Sequence, residues 1–356
     1  MTFDEFLNEW SNKRDFITVR TSGSTGVPKH IRLRKEFVKD SALRTINYFG
    51  LKSGARYHSC VSADFIGGKM MAVRACIGNG DLTWEEPSNQ PLQSIKKNQK
   101  IDLLAVVPSQ MLYVLDNLEI LPVIKNIIIG GGQIHPDLRK KIVASGLHAF
   151  ETYGMTETAS HIALRKIEKE LNPFKTLEGI TVKCDKDKSL VIYIGDDFEI
   201  KTNDLASIVS NKEFYLNGRK DDIIISGGRK INPYEIEEKI KNFIGNELIV
   251  TSLPDEKWGE KLILIIEKKS LSNNLFQRER EAGKIDELNK EIFYEILTKE
   301  DVFQIKGILK NVLKPWEIPK EYFLIDRLGR TENGKLIRPK DPSFLVSFSP
   351  DNNLDV

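Results

Sequence analysis

The segment Thr21–Lys29, TSGSTGVPK, packs two glycines, four hydroxyls and a closing lysine into nine residues. Glycine lets a backbone fold back on itself and approach a ligand closely. Exposed N–H groups and hydroxyls can then surround phosphate oxygens, and Lys29 adds a cation. The spacing is not that of a P-loop, because Pro28 interrupts it and no G-K-[ST] closes it. The plainer reading of a Gly/Ser stretch is a hairpin loop with no ligand. The histidines His30, His58, His135 and His148 show no ligand spacing, and His135 before Pro136 reads as a helix start. Cys60, Cys76 and Cys184 are odd in number and form no C-x-x-C, so neither a disulfide framework nor a structural zinc site is expected.

The elements that must position this loop follow from periodicity. Residues 16–20, FITVR, read as a strand entering it, and His30–Arg34 alternates as a second strand leaving it. Residues 35–49 read as a helix. Apolar runs at Val61–Arg74, Leu103–Val107, Ile127–Ile129 and His148–Tyr153 alternate with helical stretches, the pattern of a sheet with helices packed on it. Between about 180 and 216 the runs Leu190–Ile194, Phe198–Lys201 and Phe214–Leu216 suggest a smaller antiparallel β subdomain. Residues 217–222, NGRKDD, form a polar junction. DIIISGGRKI then reads as a hairpin turning at Gly227-Gly228, and Asn232 caps a helix opened by Pro233. That helix has an apolar stripe of Ile236, Ile240, Phe243 and Ile244 and ends at Gly245. Leu248–Ser252 and Leu262–Glu267 read as strands, and about 277–299 as a charged helix, with QRERE a solvated face.

At 356 residues the chain predicts two domains at about 150 residues each. With 53 Lys+Arg against 51 Asp+Glu, the net charge of +2 gives no support for nucleic-acid binding by bulk charge. No apolar run is long enough for a membrane span, and the opening MTFDEFLNEW has no signal-peptide character. The expectation is a cytoplasmic protein.

TSGSTGVPK resembles the phosphate loop of the acyl-adenylate-forming superfamily, and further motifs follow in that family's order. Tyr153–Glu157, YGMTE, is similar to the motif in which the aromatic lines the nucleotide and acyl sites, the threonine (Thr156) touches phosphate and the glutamate (Glu157) helps hold Mg²⁺. Gly130, Gly131 and Gly132 resemble a loop walling the nucleotide pocket. Asp204 in KTNDLA matches the aspartate on the ribose hydroxyls, although Thr-Asn stands where Thr-Gly is usual. Arg219 resembles an arginine reaching the nucleotide, Asp221 a hinge residue, Gly227 and Gly228 the loop meeting the pantetheine arm of coenzyme A, and Lys335 in TENGKLIR the catalytic lysine. In the loop, Thr21, Ser22, Gly23, Ser24, Thr25, Gly26 and Lys29 are the implied ATP contacts. Each has a plainer reading: a helix cap for Glu157, a turn aspartate for Asp204, a solvated turn for Arg219 and Asp221, a surface lysine for Lys335.

The resemblance implies an α/β fold: a large N-terminal domain of β-sheets with packed helices (1–219), a hinge at 220–221, a smaller mobile α+β lid (222–340) and a tail (341–356). Most of the family carries a long segment ahead of the loop, where 20 residues stand here. A shortened branch, or a layer supplied by a homodimer partner, would account for it. The implied cofactors are ATP, Mg²⁺ and coenzyme A as co-substrate, and the implied partner is a small carboxylic acid. The attacking carboxylate is already ionised near neutral pH, which suits the absence of a Ser/His/Asp spacing.

Residues 64–74, DFIGGKMMAVR, fall where the family places part of the acyl site. A buried helix is the plain reading of Met70, Met71 and Val73. Lys69 and Arg74 beside Gly67-Gly68 would instead suit a substrate with a second carboxylate, since an unpaired buried carboxylate is costly. Gln133, Ser160 and His161 are further candidate pocket residues. This stretch and Glu86–Leu92 look most like the short bacterial o-succinylbenzoate–CoA ligases of menaquinone synthesis. Two other readings stay open: an adenylation domain loading a carrier protein, and a non-catalytic nucleotide-binding relative.

Overall fold

The computed structural model describes residues 1–20, 30–119, 121–132, 134–196, 198–244, 247–267, 294–296, 299–325, 327–330 and 336–339. These divide into two compact units. The first comprises Met1–Thr202 and Ser207–Tyr215; the second comprises Asn203–Ala206 and the described residues from Leu216 on.

In the first unit, Thr2 fixes the start of helix α1 (Phe3–Ser11). Its hydroxyl accepts from Glu5 N at 3.1 Å while the Glu5 carboxylate accepts from Thr2 N at 2.8 Å, a reciprocal capping box. Strands β1 (Phe16–Arg20) and β2 (His30–Arg34) pair antiparallel from Phe16↔Arg34 to Arg20↔His30. Helix α2 (Lys35–Phe49) ends at Gly50, whose φ of 59° is the left-handed cap that glycine adopts without a Cβ penalty. There follow β3 (Arg56–Ser59), α3 (Ile66–Ile77), β4 (Asp81–Trp84), β5 (Lys100–Ile101), β6 (Leu103–Val106), α4 (Pro108–Asp116), β7 (Val123–Ile124), β8 (Ile127–Ile129), α5 (Pro136–Ser145) and β9 (Ala149–Met155). The pairings β4–β3, β3–β6, β6–β8 and β8–β9 are all parallel. The inner strands β3, β6 and β8 are near-continuously buried, as parallel strands covered by helices must be, whereas β4 at the edge is not.

The chain then turns antiparallel through β10 (Ser160–Lys166), β11 (Phe174–Thr176), β12 (Ile180–Cys184), β13 (Ser189–Ile194), β14 (Phe198–Ser210) and β15 (Glu213–Arg219). These strands do not form the separate small subdomain expected from their charged turns. They extend the same sheet, giving eleven strands in the order β12-β13-β14-β15-β11-β10-β9-β8-β6-β3-β4. The alternation was legible, but the edge they join was not.

The second unit is a sheet of β16 (Ile224–Ser226), β17 (Arg229–Ile231), β18 (Leu248–Asp255), β19 (Gly259–Glu267), β20 (Tyr294–Ile296) and β21 (Glu321–Ile325), with helices α6 (Pro233–Ile244) and α7 (Lys299–Lys310). Asn232 caps α6 as expected, its Oδ1 accepting from Tyr234 N at 3.1 Å. Ile236, Ile240 and Ile244 enter a core with Leu264, Ile266, Ile305 and Leu309, but Phe243 is 49% exposed and leaves the stripe. Gly245 lies outside the described residues. Tyr294–Ile296 pairs with β21 as a strand, where the charge pattern suggested helix. Among the described residues no helix is long and apolar enough to cross a membrane.

Within the large sheet the buried carboxylate of Glu151 on β9 accepts from Arg139 Nη2 at 3.1 Å and from Arg165 Nη2 and Nε at 2.6 and 3.1 Å. The three side chains are between 7 and 11% exposed, and the Arg165 guanidinium also lies 4.2 Å over the Phe174 ring. Removing the shared anion strands two cations in a poorly solvated place, which costs about 3 kcal/mol. Glu151→Ala should therefore lower the unfolding free energy by about that much, read from urea denaturation.

Candidate active site

The parallel register of β8 and β9, Ile129↔Glu151, directs their carboxyl ends to the same edge of the sheet, β9 running four residues further. Ligands of open α/β sheets bind at such ends. Beyond β8 the chain enters Gly130–Gly132. A Cβ on Gly130 would stand 2.9 Å from Thr152 Oγ1, so only glycine allows this approach, and Gly131 has φ 82°. Beyond β9, Tyr153–Glu157 runs into a tight turn rather than a helix, so Glu157 is no helix cap. Thr156 and Glu157 sit at the tip, and β10 returns with Ser160↔Met155 and His161↔Gly154.

Thr158 makes the turn. Its hydroxyl accepts from Met155 N at 2.9 Å and contacts the Ser160 carbonyl at 2.7 Å, while Ala159 and Ser160 adopt φ of 51° and 82°. Glu157 is exposed and makes no ion pair among the described residues. An exposed carboxylate beside the Thr156 hydroxyl is the hard-oxygen donor set that Mg²⁺ accepts when it keeps waters and phosphate oxygens as its other ligands. Tyr153 packs into the sheet face, edge-on to Phe214 with ring centroids 5.3 Å apart. The strand pair β1–β2, between which the Thr21–Lys29 segment lies in sequence, is tied to this corner, because Val19, Leu33 and Ala159 share one core cluster. Thr21, Ser22, Gly23, Ser24, Thr25, Gly26, Lys29, Gln133 and Lys335 lie outside the described residues.

Helix α3 is buried on nearly every side, and both its cations are buried with it. Lys69 lies against α1: its ammonium is 4.4 Å over the Phe6 ring, 3.9 Å from Glu9 and 2.6 Å from Met1 Sδ. Burial lowers its pKa from the usual lysine value. Arg74 has no such counter-charge among the described residues. It is 1% exposed, Nη1 touches Met71 Sδ at 3.6 Å, and Nε and Nη2 have no hydrogen-bond partner. Burial lowers it to about 10. His161 is buried beside it, with Nε2 3.0 Å from Thr45 Oγ1, and burial together with Arg74 holds it well below its ordinary pKa.

In the second unit Asp204 and Arg219 form an ion pair at 2.8 Å, and Arg219 also reaches Asp221 at 3.1 Å. Burial works against the charge on Arg219, but Asp204, Asp221 and Asp222 outweigh it. Asn203, the departure from the usual Thr-Gly, donates its amide to both Asp221 oxygens at 3.1 and 3.2 Å. Gly227 and Gly228 turn the β16–β17 hairpin at φ of 56° and 75°, with Trp258 under Gly227.

One residue that motif reading missed is Arg338. It bonds both Glu237 carboxylate oxygens, stacks 4.4 Å over the Tyr234 ring and reaches the Val250 carbonyl. Thr251 Oγ1 donates to Pro339 O at 2.5 Å, so Leu336–Pro339, just after Lys335, is held on the sheet. A basic residue three after Lys335 was visible in TENGKLIR, but its buried partner was not. A groove of about 750 Å³ lined by Tyr48, Phe49, His148, Phe150, Lys166 and Lys175 lies at the opposite strand ends from the Glu157 turn.

Residues 9–184 match the AMP-binding enzyme family. The 2-succinylbenzoate–CoA ligase of Listeria monocytogenes is 25% identical, over 94% of this chain and 71% of that protein. Residues 9–184 thus carry an AMP-binding domain of the adenylate-forming enzymes. Its class is that of the AMP-forming acid–thiol ligases. Another relative in this superfamily, the 2-succinylbenzoate–CoA ligase of Staphylococcus epidermidis, is 26% identical over 90% of this chain and 68% of that one. Among solved structures, an acyl-CoA synthetase (AMP-forming)/AMP-acid ligase II-like protein from Dyadobacter fermentans is 27% identical, covers 93% of this chain and 90% of its own, and has a TM-score of 0.57. The o-succinylbenzoate coenzyme A synthetase of Bacillus subtilis, in complex with ATP and magnesium ion, superimposes with a TM-score of 0.69 at 21% identity, over 90% of this chain and 68% of its own; it shares the adenylate-forming fold.

Two tests follow from the geometry. A Cβ on Gly154 would fall 2.2 Å from the Ser160 carbonyl oxygen. Gly154→Ala must therefore displace the β9–β10 turn, and adenylate formation should fall at least tenfold while far-ultraviolet circular dichroism is retained. The second concerns pH. The folded state keeps His161 neutral, whereas an unfolded histidine takes up a proton below its ordinary value of 6.5. The stability due to neutral His161 is complete above that pH and is lost as pH falls below it, by about 1.4 kcal/mol per unit. In His161→Asn the proton uptake on unfolding at acid pH should drop by close to one. His148, depressed by burial and by Lys166, titrates in both proteins and cancels in the difference.

Proposed function

We propose that this chain activates an aromatic dicarboxylic acid with ATP and transfers it to coenzyme A, with o-succinylbenzoate as the acid. The observation that carries the acid is Arg74, a fully buried guanidinium with two N–H-bearing nitrogens unpartnered. A buried cation without an anion is costly. A second carboxylate on the substrate, the one not activated, would satisfy it. The names of the Listeria and Staphylococcus relatives support the same acid. Lys69, already engaged by Glu9 and Phe6, has less to offer a ligand.

In the first step a carboxylate oxygen attacks the α-phosphorus of ATP. A C–O–P bond forms and pyrophosphate leaves. Two anions must be brought together, so the step needs charge neutralisation and alignment rather than a base. The Thr21–Lys29 loop and Thr156 would hold phosphate, Gly130–Gly132 and Tyr153 would border the nucleotide, and Asp204 and Arg219 would hold the ribose. Glu157 would hold Mg²⁺, which would supply positive charge to the phosphates, and Lys335 would bind the α-phosphate and acyl oxygens. In the second step the coenzyme A sulfur attacks the acyl carbon, the thiol proton passes to solvent and AMP leaves. The Gly227-Gly228 turn is the surface assigned to the pantetheine arm, and rotation about Asp221 would exchange it for Lys335.

The deciding assay is thioester formation from ATP, coenzyme A and o-succinylbenzoate, beside a benzoate lacking the second carboxylate. Arg74→Gln should reduce kcat/KM for the diacid by about 100-fold, the size of a lost charged hydrogen bond, and leave the monoacid nearly unchanged. A wild-type protein with no preference for the diacid rules the assignment out. Lys335→Ala should abolish acid-dependent exchange of pyrophosphate into ATP while sparing thioester formation from supplied acyl-adenylate. Turnover with free coenzyme A separates this reading from carrier-protein loading, and a lack of exchange with every acid tried would leave a nucleotide-binding protein.

A further inference from the structure

Three metal-competent side chains meet at the carboxyl ends of β3 and β4, away from every residue assigned above. His58 is fully buried, Cys60 is 1% exposed and the Glu85 side chain is 11% exposed. One donor atom from each lies within 4.8 Å of the others. Their backbones are fixed. Cys60 N donates to Ala105 O at 3.1 Å, Glu85 N donates to Ser59 O at 3.2 Å, and Gln110 Nε2 donates to Cys60 O at 2.9 Å.

The hydrogen bonds around His58 decide its tautomer. Thr83 Oγ1 donates its one proton to Tyr57 O at 3.2 Å, so it accepts from His58 Nδ1 at 2.8 Å. With Nδ1 as donor, the neutral ring presents a lone pair at Nε2. That nitrogen is buried, has no hydrogen-bond partner among the described residues and lies 3.9 Å from Glu85 Oε2. The gap between ring nitrogen and carboxylate is one that a positive centre, a proton or a metal ion, can fill. Cys60 Sγ lies 3.4 Å from Glu85 Oε1, and the carboxylate is oriented from behind by Leu92 N, Ser94 N and Ser94 Oγ. A histidine fixed through its other nitrogen and a carboxylate held by main-chain donors form the outer shell typical of metal ligands.

We propose that His58 Nε2, Cys60 Sγ and a Glu85 oxygen bind one divalent cation of the zinc class, with water in the fourth position. Nitrogen, sulfur and oxygen together suit borderline-soft Zn²⁺ and not Mg²⁺ or Ca²⁺. Cys60 loses its thiol proton to solvent, and the thiolate and carboxylate together neutralise the dication, which allows it to sit in a buried place. The site is three strands from β9, roughly 14 Å at the ~4.8 Å spacing of neighbouring strands, so it is separate from the Mg²⁺ assigned to Glu157. Its effect would be to clamp the Glu85–Ser94 segment, in which Leu92 is buried at φ 69°. Sequence spacing hid the cluster because the ligands come from two strand ends 25 residues apart, aligned only by the register His58↔Thr83.

The test uses the full chain, stripped with chelator and titrated with Co²⁺ alone, without ATP or acid. One equivalent should bind, with a thiolate-to-cobalt charge-transfer band that Zn²⁺ abolishes by displacement. Cys60→Ser should remove the band and Cys76→Ser should keep it. Thr83→Val, which removes only the hydroxyl behind His58, should weaken binding by roughly tenfold. In the unmodified protein Zn²⁺ should protect Cys60, and not Cys76, from alkylation mapped by mass spectrometry, a readout that needs no variant to fold. Substoichiometric binding, a band that survives Cys60→Ser, or equal alkylation of Cys60 with and without Zn²⁺ overturns the proposal.

Discussion

Two parallel strands, Ile127–Ile129 and Ala149–Met155, run in one register toward the same edge of the sheet, and the candidate site of the first unit depends on that alignment. A parallel pair releases both chains toward the same edge, so two loops distant in sequence lie on one side of the sheet. One is a glycine turn whose backbone comes close to Thr152; the other, four residues further along β9, is a hairpin presenting Thr156 and Glu157. The buried residues below, Ile128 and Phe150 among them, are the base on which both strands rest. The same rule brings Cys60 and Glu85 together three strands away.

Buried charge sorts the remaining side chains into two kinds. Glu151 is surrounded by cations that use its oxygens, and Arg338 is matched by Glu237; these are closed arrangements that hold elements together. Arg74 and His58 are open ones: Arg74 has no ion pair among the described residues and His58 turns Nε2 toward Glu85 without a hydrogen bond, whereas the unpartnered Arg139 Nη1 and Arg338 Nε belong to side chains whose charge is already matched. A protein interior tolerates few unpaired donors or acceptors, so the open arrangements are where a ligand contributes most. The Asn203–Asp221 contact is of a third kind: it is exposed, so it adds little stability, but it ties strand β14 to the turn that follows β15.

Much of this was legible in the residues. The Gly-Gly hairpin and the Asn232 cap identified local conformation because glycine and asparagine act on their own backbone; YGMTE identified a motif but not the turn it forms. The motif order carried the family. What escaped were consequences of pairing between distant segments. Strands after residue 180 alternate in the same way whether they form their own sheet or extend another, so the eleven-stranded sheet could not be read from them. Phe243 fits a helical stripe by spacing yet faces solvent, because α6 covers the sheet with only three of its four apolar positions. Lys69 and Arg74 read as a matched pair of cations, and only α1 folding over Lys69 distinguishes them.

The turn at the end of β9 places two consecutive non-glycine residues, Ala159 and Ser160, at positive φ. Such conformations cost of order 1 kcal/mol each, and glycine at either position would relieve the strain. The chain keeps side chains there nonetheless, with Ala159 anchored in the core and the Ser160 carbonyl bonded to Thr158. Rigidity at this corner is thus obtained against the intrinsic preference of the backbone, so the most sharply aligned part of the domain is also a place where the polypeptide is locally uncomfortable.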